Sequence, residues 1–97
     1  MSNKFEKVPV EEDTKILYEL EIPFDKYHVL HQKWFWDGII AESIIFASED
    51  VADIKDDELE KIVRASPLVN KDSKFTLDRS ESGFTFVNFN FETFEAV

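Results

Sequence analysis

Residues 14–38 read TKILYELEIPFDKYHVLHQKWFWDG, and two periodicities meet inside them. From Thr14 to Ile22 apolar and polar positions alternate. Ile16, Tyr18, Leu20 and Ile22 fall on one face, and Lys15, Glu19 and Glu21 fall on the other with Leu17. A period of two over this length is that of a half-buried strand. Pro23 ends it, because proline cannot donate to a ladder. Asp25 then offers the short acceptor side chain of a helix N-cap. Tyr27, Leu30, His31 and Trp34 recur at i, i+3, i+4 and i+7, the spacing of one helix face. That spacing predicts a helix over about 26–35, stopped at Asp37-Gly38.

The flanks extend this β-then-α order. Residues 1–13 are polar, with Phe5, Val8 and Val10 able to pack locally. Ile39 to Ala47 is ambiguous between helix and strand: its apolar residues spread all round a helical wheel, and its four Ile and one Phe favour a buried strand. Glu42 is its awkward member, sharing a face with Ile40, Ile44 and Phe46. Ser48 is a second cap candidate, and Glu49 and Asp50 suit the positive end of a helix dipole. Val51, Ile54, Leu59, Ile62 and Val63 make one apolar stripe, and Lys61 and Arg64 close it before Ser66-Pro67. A helix over about 49–65, with a break near Asp56, is expected. Phe75 and Leu77, a turn at Ser80 to Gly83, and the aromatic run Phe84 to Phe94 read as a hairpin. Within the run Phe84 and Phe86 share one face, while Val87, Phe89 and Phe91 share the other. Either a bulge near Val87-Asn88 or burial on both faces reconciles them. The expected architecture is a single α+β domain over residues 1–97, with order β-α-β-α-β-β. It has about four mainly antiparallel strands and two helices packed on one face.

Composition limits the function. Ninety-seven residues, 43% of them hydrophobic with ten Phe and two Trp, suffice for one core. There is no cysteine, which excludes disulfides, thiolate chemistry and cysteine-based zinc sites. The first ten residues have no apolar core of a secretory signal, and no apolar run approaches a membrane span. A cytoplasmic protein is expected. Twenty-one acids against eleven bases leave a formal charge of −10. With its bases scattered, the chain is not expected to bind nucleic acid or an anionic membrane directly. A basic protein or nucleoprotein complex is the favoured partner, drawn in by long-range attraction. The plainer alternative is that the acidity only keeps a small protein soluble.

The charge is concentrated. Glu49, Asp50, Asp53, Asp56, Asp57, Glu58 and Glu60 stand against Lys55 alone between positions 49 and 60. On a continuous helix Glu49, Asp53, Asp56 and Glu60 would form one stripe roughly 16 Å long. Adjacent carboxylates would stand about 5–6 Å apart, resembling the spacing of phosphates along a nucleic-acid strand. Glu19 and Glu21, and Glu11, Glu12 and Asp13, could extend that surface. Trp34, Phe35 and Trp36 are consecutive, so a helix cannot bury all three on one side. Trp36 is the candidate interface anchor. His28 and His31 lie at i, i+3 with Asp25 a turn earlier, a spacing at which imidazoles can share a metal. Histidines so placed are more often partly buried and hydrogen-bonded, or simply exposed, and no metal or cofactor is expected. No phosphate-binding glycine loop, nucleophile elbow or zinc-protease motif is present.

In size and charge the chain is similar to the small acidic inhibitors that phages direct against restriction and CRISPR enzymes. Acidic toxin-immunity proteins, which bind basic nucleases, have the same size and charge. The likeness implies a non-enzymatic inhibitor that occupies the nucleic-acid site of a basic partner. Its expected contact residues are Glu49, Asp50, Asp53, Asp56, Asp57, Glu60, Glu19, Glu21 and Trp36. The alternatives are an immunity or regulatory binding protein, and a small enzyme or ligand-binding domain, which would need a concave pocket.

Overall fold

The computed structural model describes Phe5 and residues 8–93. Five strands form one sheet: β1 (Lys15–Phe24), β2 (Tyr27–Trp36), β3 (Ile39–Ala47), β4 (Thr76–Arg79) and β5 (Phe84–Thr93). Their spatial order is β1-β2-β3-β5-β4, and every neighbouring pair is antiparallel. Between β3 and β4 come a 3-10 turn (Ser48–Asp50) and a single helix, α1 (Asp56–Arg64). The chain is thus of mixed α and β content, with more sheet than the sequence suggests. Phe94, where the sequence reading ends the last strand, lies outside the described residues.

The expected helix over 26–35 is a strand. β1, β2 and β3 form a meander joined by two-residue turns. Asp37 and Gly38 both have positive φ (49° and 78°), as a tight hairpin with Asp-Gly at its centre requires. Asp25, with φ 54°, opens the other turn and caps no helix. β2 is a central strand covered on both sides. Val29 and His31 face the helix, while Leu30, Gln32 and Trp34 face away. Apolar residues in both phases remove the period of two and leave a misleading helical spacing. Pro23 does not end β1; it pairs opposite His28 on an edge strand, where a missing donor is tolerated.

The second expected helix is shortened. Residues 49–55 form the 3-10 turn and an irregular link, and the α-helix begins at Asp56, where the sequence suggested a break. Val51, Leu59 and Val63 are fully buried against Val29, Ile44, Phe46, Val87 and Phe89, with Ile54 and Ile62 packed at the margin. Each such side chain contributes about 1.5–3 kcal/mol by leaving water. Arg79 on β4 fixes the link. It donates Nη1 to the Val51 carbonyl at 2.9 Å, Nη2 to the Ile54 carbonyl, and Nε to Asp56 Oδ1 at 2.8 Å.

The face away from the helix has a smaller core. Phe5 lies over Leu30, Ile45 and Phe84, with Val8 and Phe86 beside them. β5 is therefore buried on both sides, Val87 and Phe89 toward the helix and Phe84 and Phe86 away from it. Its bulge falls later than Val87-Asn88. Asn90 and Phe91 together stand opposite Ala41, because Ile40 pairs with Glu92 and Glu42 with Phe89. Asn90 takes φ 55°, a conformation asparagine tolerates better than most residues. A second irregularity, between Ile16 and Tyr18, places Ile16 beside Trp34 on the far face. Ile16 thus leaves the face that Tyr18, Leu20 and Ile22 share.

Candidate functional site

Three features could carry function: an acidic ridge, a buried polar network and a cleft. The ridge is what the acid-rich segment becomes. Glu49 and Asp50 sit exposed in the 3-10 turn, and Asp53 is exposed in the link. Asp56 and Asp57 begin α1, and Glu60 follows one turn on, half-buried. The four apolar anchors Val51, Ile54, Leu59 and Val63 turn inward and force these acids outward. The regular stripe from Glu49 through Asp53 and Asp56 to Glu60 does not form, since residues 49–55 are not α-helical. Asp56 is matched from within the chain by Arg79 and, more loosely, Glu60 by Arg64 at 4.0 Å.

Glu19 and Glu21 do not join this ridge. They lie on β1 and face away from the helix. Glu19 accepts a hydrogen bond from Gln32 Nε2 at 3.0 Å, and Glu21 stands 3.8 Å from His28. His28 and His31 also separate. They sit three apart on a strand, so they point to opposite faces and cannot share a metal. The helical spacing that paired them does not exist.

His31 belongs instead to a network under the helix side. It is only 4% exposed and stacks against Phe89 at a centroid distance of 6.4 Å. Its Nε2 lies 2.8 Å from Glu42 Oε1, and its Nδ1 lies 2.9 Å from the Tyr18 hydroxyl. A carboxylate only accepts, so Nε2 carries the proton, and Nδ1 accepts from Tyr18 when the ring is neutral. Asn90 Nδ2 donates to Glu42 Oε2 at 2.7 Å and to the Leu68 carbonyl at 2.8 Å; its Oδ1 accepts from the Asn70 amide. The apparent misfit of Glu42 among apolar neighbours is thereby resolved. Its buried charge is held by two donors that the sheet brings from β2 and β5. Burial, and secondly the charge of Glu42, push the Tyr18 hydroxyl above the ordinary tyrosine pKa. A hydroxyl, imidazole and carboxylate in series can pass a proton, but the cleft does not reach them. Their evident role is to tie β1, β2, β3 and β5 together.

The cleft lies on the opposite face and measures about 440 Å³. Phe5 and Val8 cover one end of that face. The segment from Pro9 to Thr14 forms one wall at the other end, and Asp78 and Ser80 form the other wall. The floor is Trp34, Ser43, Phe86 and Asn88, with Trp36 at the mouth, 39% exposed. Trp34 is fixed in place. Its Nε1 donates to Ser43 Oγ at 2.7 Å, Ser43 donates to Asn88 Oδ1, and Asn88 Nδ2 donates to Thr76 Oγ1 at 3.0 Å. Phe91, turned to this face by the Asn90 bulge, meets Trp34 edge-on at 6.5 Å. Of the residues that the sequence reading gives to a contact surface, Trp36 and Glu11 line this cleft. Asp78 belongs to it too. Asp78 carries no sequence signal of its own, because its place depends on β4 pairing with β5.

Among the described residues no helix is long and apolar enough to cross a membrane, and no three potential ligands are grouped to hold a metal ion. The chain matches no protein-family model, no curated protein and no solved structure.

Proposed function

We propose that this protein is a non-enzymatic acidic inhibitor. In this reading it docks its carboxylate ridge, residues 49–60, on a basic surface of a nucleic-acid-processing protein and competes there with nucleic acid. The observation that supports it most is the segment's construction. Seven acids within twelve residues are all thrown outward by inward apolar anchors, at a cost in like-charge repulsion that a merely solvated loop does not require. The competition rests on the density of charge, not on an even phosphate-like spacing. A charge of −10 would speed encounter with a basic partner and repel nucleic acid itself.

The test compares the parent with a ridge variant carrying Glu49→Gln, Asp53→Asn, Asp57→Asn and Glu60→Gln. Asp56 is left intact because it holds Arg79. Both proteins are used to capture partners from a native cell lysate, with elution by rising salt and by competing DNA or RNA. The parent is expected to retain a nucleic-acid-processing complex that competing nucleic acid releases, and the variant to retain much less. Equal capture by parent and variant would overturn the reading. Retention of a single basic toxin, indifferent to DNA and RNA, would replace it with an immunity role.

A further inference from the structure

The cleft bears on what kind of group the partner inserts, and its lining differs from the ridge. Its floor and mouth present two indoles, Trp34 and Trp36, and its walls present two carboxylates, Glu11 and Asp78, both exposed. No lysine or arginine is among the described residues that line it. An anionic ligand would face negative charge on both sides, so phosphates, nucleotides and acidic peptides are disfavoured. Trp34 has its N–H committed to Ser43, which leaves its ring as what it can offer a ligand. An indole face is the best aromatic surface for a cation.

We propose that this cleft is a receptor for an arginine side chain of the basic partner. The guanidinium would stack on the tryptophans and direct its N–H groups to Glu11 and Asp78. The planar cation suits the site better than an ammonium. It stacks on a ring and donates in its own plane at once, whereas lysine presents a compact, strongly hydrated charge. The cleft's volume falls within the range of ligand pockets, and its polar floor is already satisfied by internal hydrogen bonds. Binding would therefore not have to dismantle the Ser43–Asn88 pair. This inference rests on the reading that the partner is basic, but it concerns the opposite face of the sheet from the ridge.

The experiment uses the full chain and short glycine-flanked peptides that carry arginine, lysine or citrulline, the last an uncharged isostere of arginine. Binding is followed by tryptophan fluorescence and by the indole N–H resonances. The arginine peptide is expected to saturate, shift the Trp34 and Trp36 signals and bind about tenfold more tightly than the citrulline peptide. Trp36→Ala and Asp78→Asn should each weaken it about three- to tenfold, with the unfolding midpoint of the exposed Trp36→Ala variant nearly unchanged. The ridge variant should bind the peptide as the parent does. Equal affinity for arginine and citrulline, or full affinity in Trp36→Ala, would overturn the proposal. Free arginine binding as tightly as the peptide would overturn the partner as occupant and make the cleft a small-molecule site. Failure of lysate capture with the peptide result intact would remove the inhibitor reading and leave the cleft's cation preference standing.

Discussion

Replacing Glu42 by alanine should be among the most damaging single changes in this chain, and its size can be worked from the contacts. The Glu42 side chain is 17% exposed and accepts from His31 at 2.8 Å and from Asn90 at 2.7 Å. Hydrogen bonds to a charged group are worth about 1.5–3 kcal/mol each. Asn90 keeps its bond to the Leu68 carbonyl, and some water reaches the site, so the lower end applies. About 3 kcal/mol is expected, which for a domain of this size lowers the melting temperature on the order of 15 °C. Glu42→Gln keeps the volume and one acceptor but turns an amide donor toward a donor, so it should lose about half as much. Urea unfolding followed by the two tryptophans measures both, and an unchanged dependence on denaturant shows that the folded state is intact. A loss below about 1 kcal/mol in Glu42→Ala would refute the claim that this carboxylate ties the sheet together.

Arg79→Ala removes three hydrogen bonds to the link before α1 and should cost about 1–2 kcal/mol, with faster amide exchange confined to residues near 51–56. At Asn90, where φ is 55°, Asn90→Gly should retain about 1 kcal/mol more stability than Asn90→Ala, because glycine alone relieves the backbone strain; equal losses in thermal melts would show that the hydrogen bonds decide. Tyr18 should ionise above the ordinary tyrosine range in a phenolate absorbance titration. A folded-state pKa above the unfolded one means that stability is complete below about pH 10 and declines as pH rises through the folded value. Tyr18→Phe should remove that part of the alkaline loss, and an unchanged alkaline profile would contradict it.

Local pattern determined a good part of this protein. The strand at Thr14 to Ile22, the isoleucine-rich run of β3, the apolar stripe of Leu59, Ile62 and Val63 and the Ser80–Gly83 turn lie where the residues place them, although Ile16 leaves the face shared by Tyr18, Leu20 and Ile22. Burial does not follow the same rule in each: Tyr18 and Leu20 on β1 stay exposed, whereas β3 is buried on both faces and is marked by its run of isoleucines rather than by a period of two. Asp37-Gly38, read from the sequence as a helix stop, is a type I′ hairpin turn between two β-favouring runs, and it outweighs the helical spacing of Tyr27, Leu30, His31 and Trp34. That spacing arose because β2 is covered on both faces, and only the assembled sheet decides which residues have two neighbours. The charge, and its concentration at 49–60, was plain from composition. The sequence could not show that the ridge and Glu19 with Glu21 lie on different faces, because that depends on where β1 sits relative to α1. Nor could it show that Glu42 has partners, or that Trp34, Trp36, Glu11 and Asp78 surround one cleft. Glu11, the two tryptophans and Asp78 come from distant parts of the chain, and antiparallel pairing with two bulges sets their register, shifting which side chain faces which side.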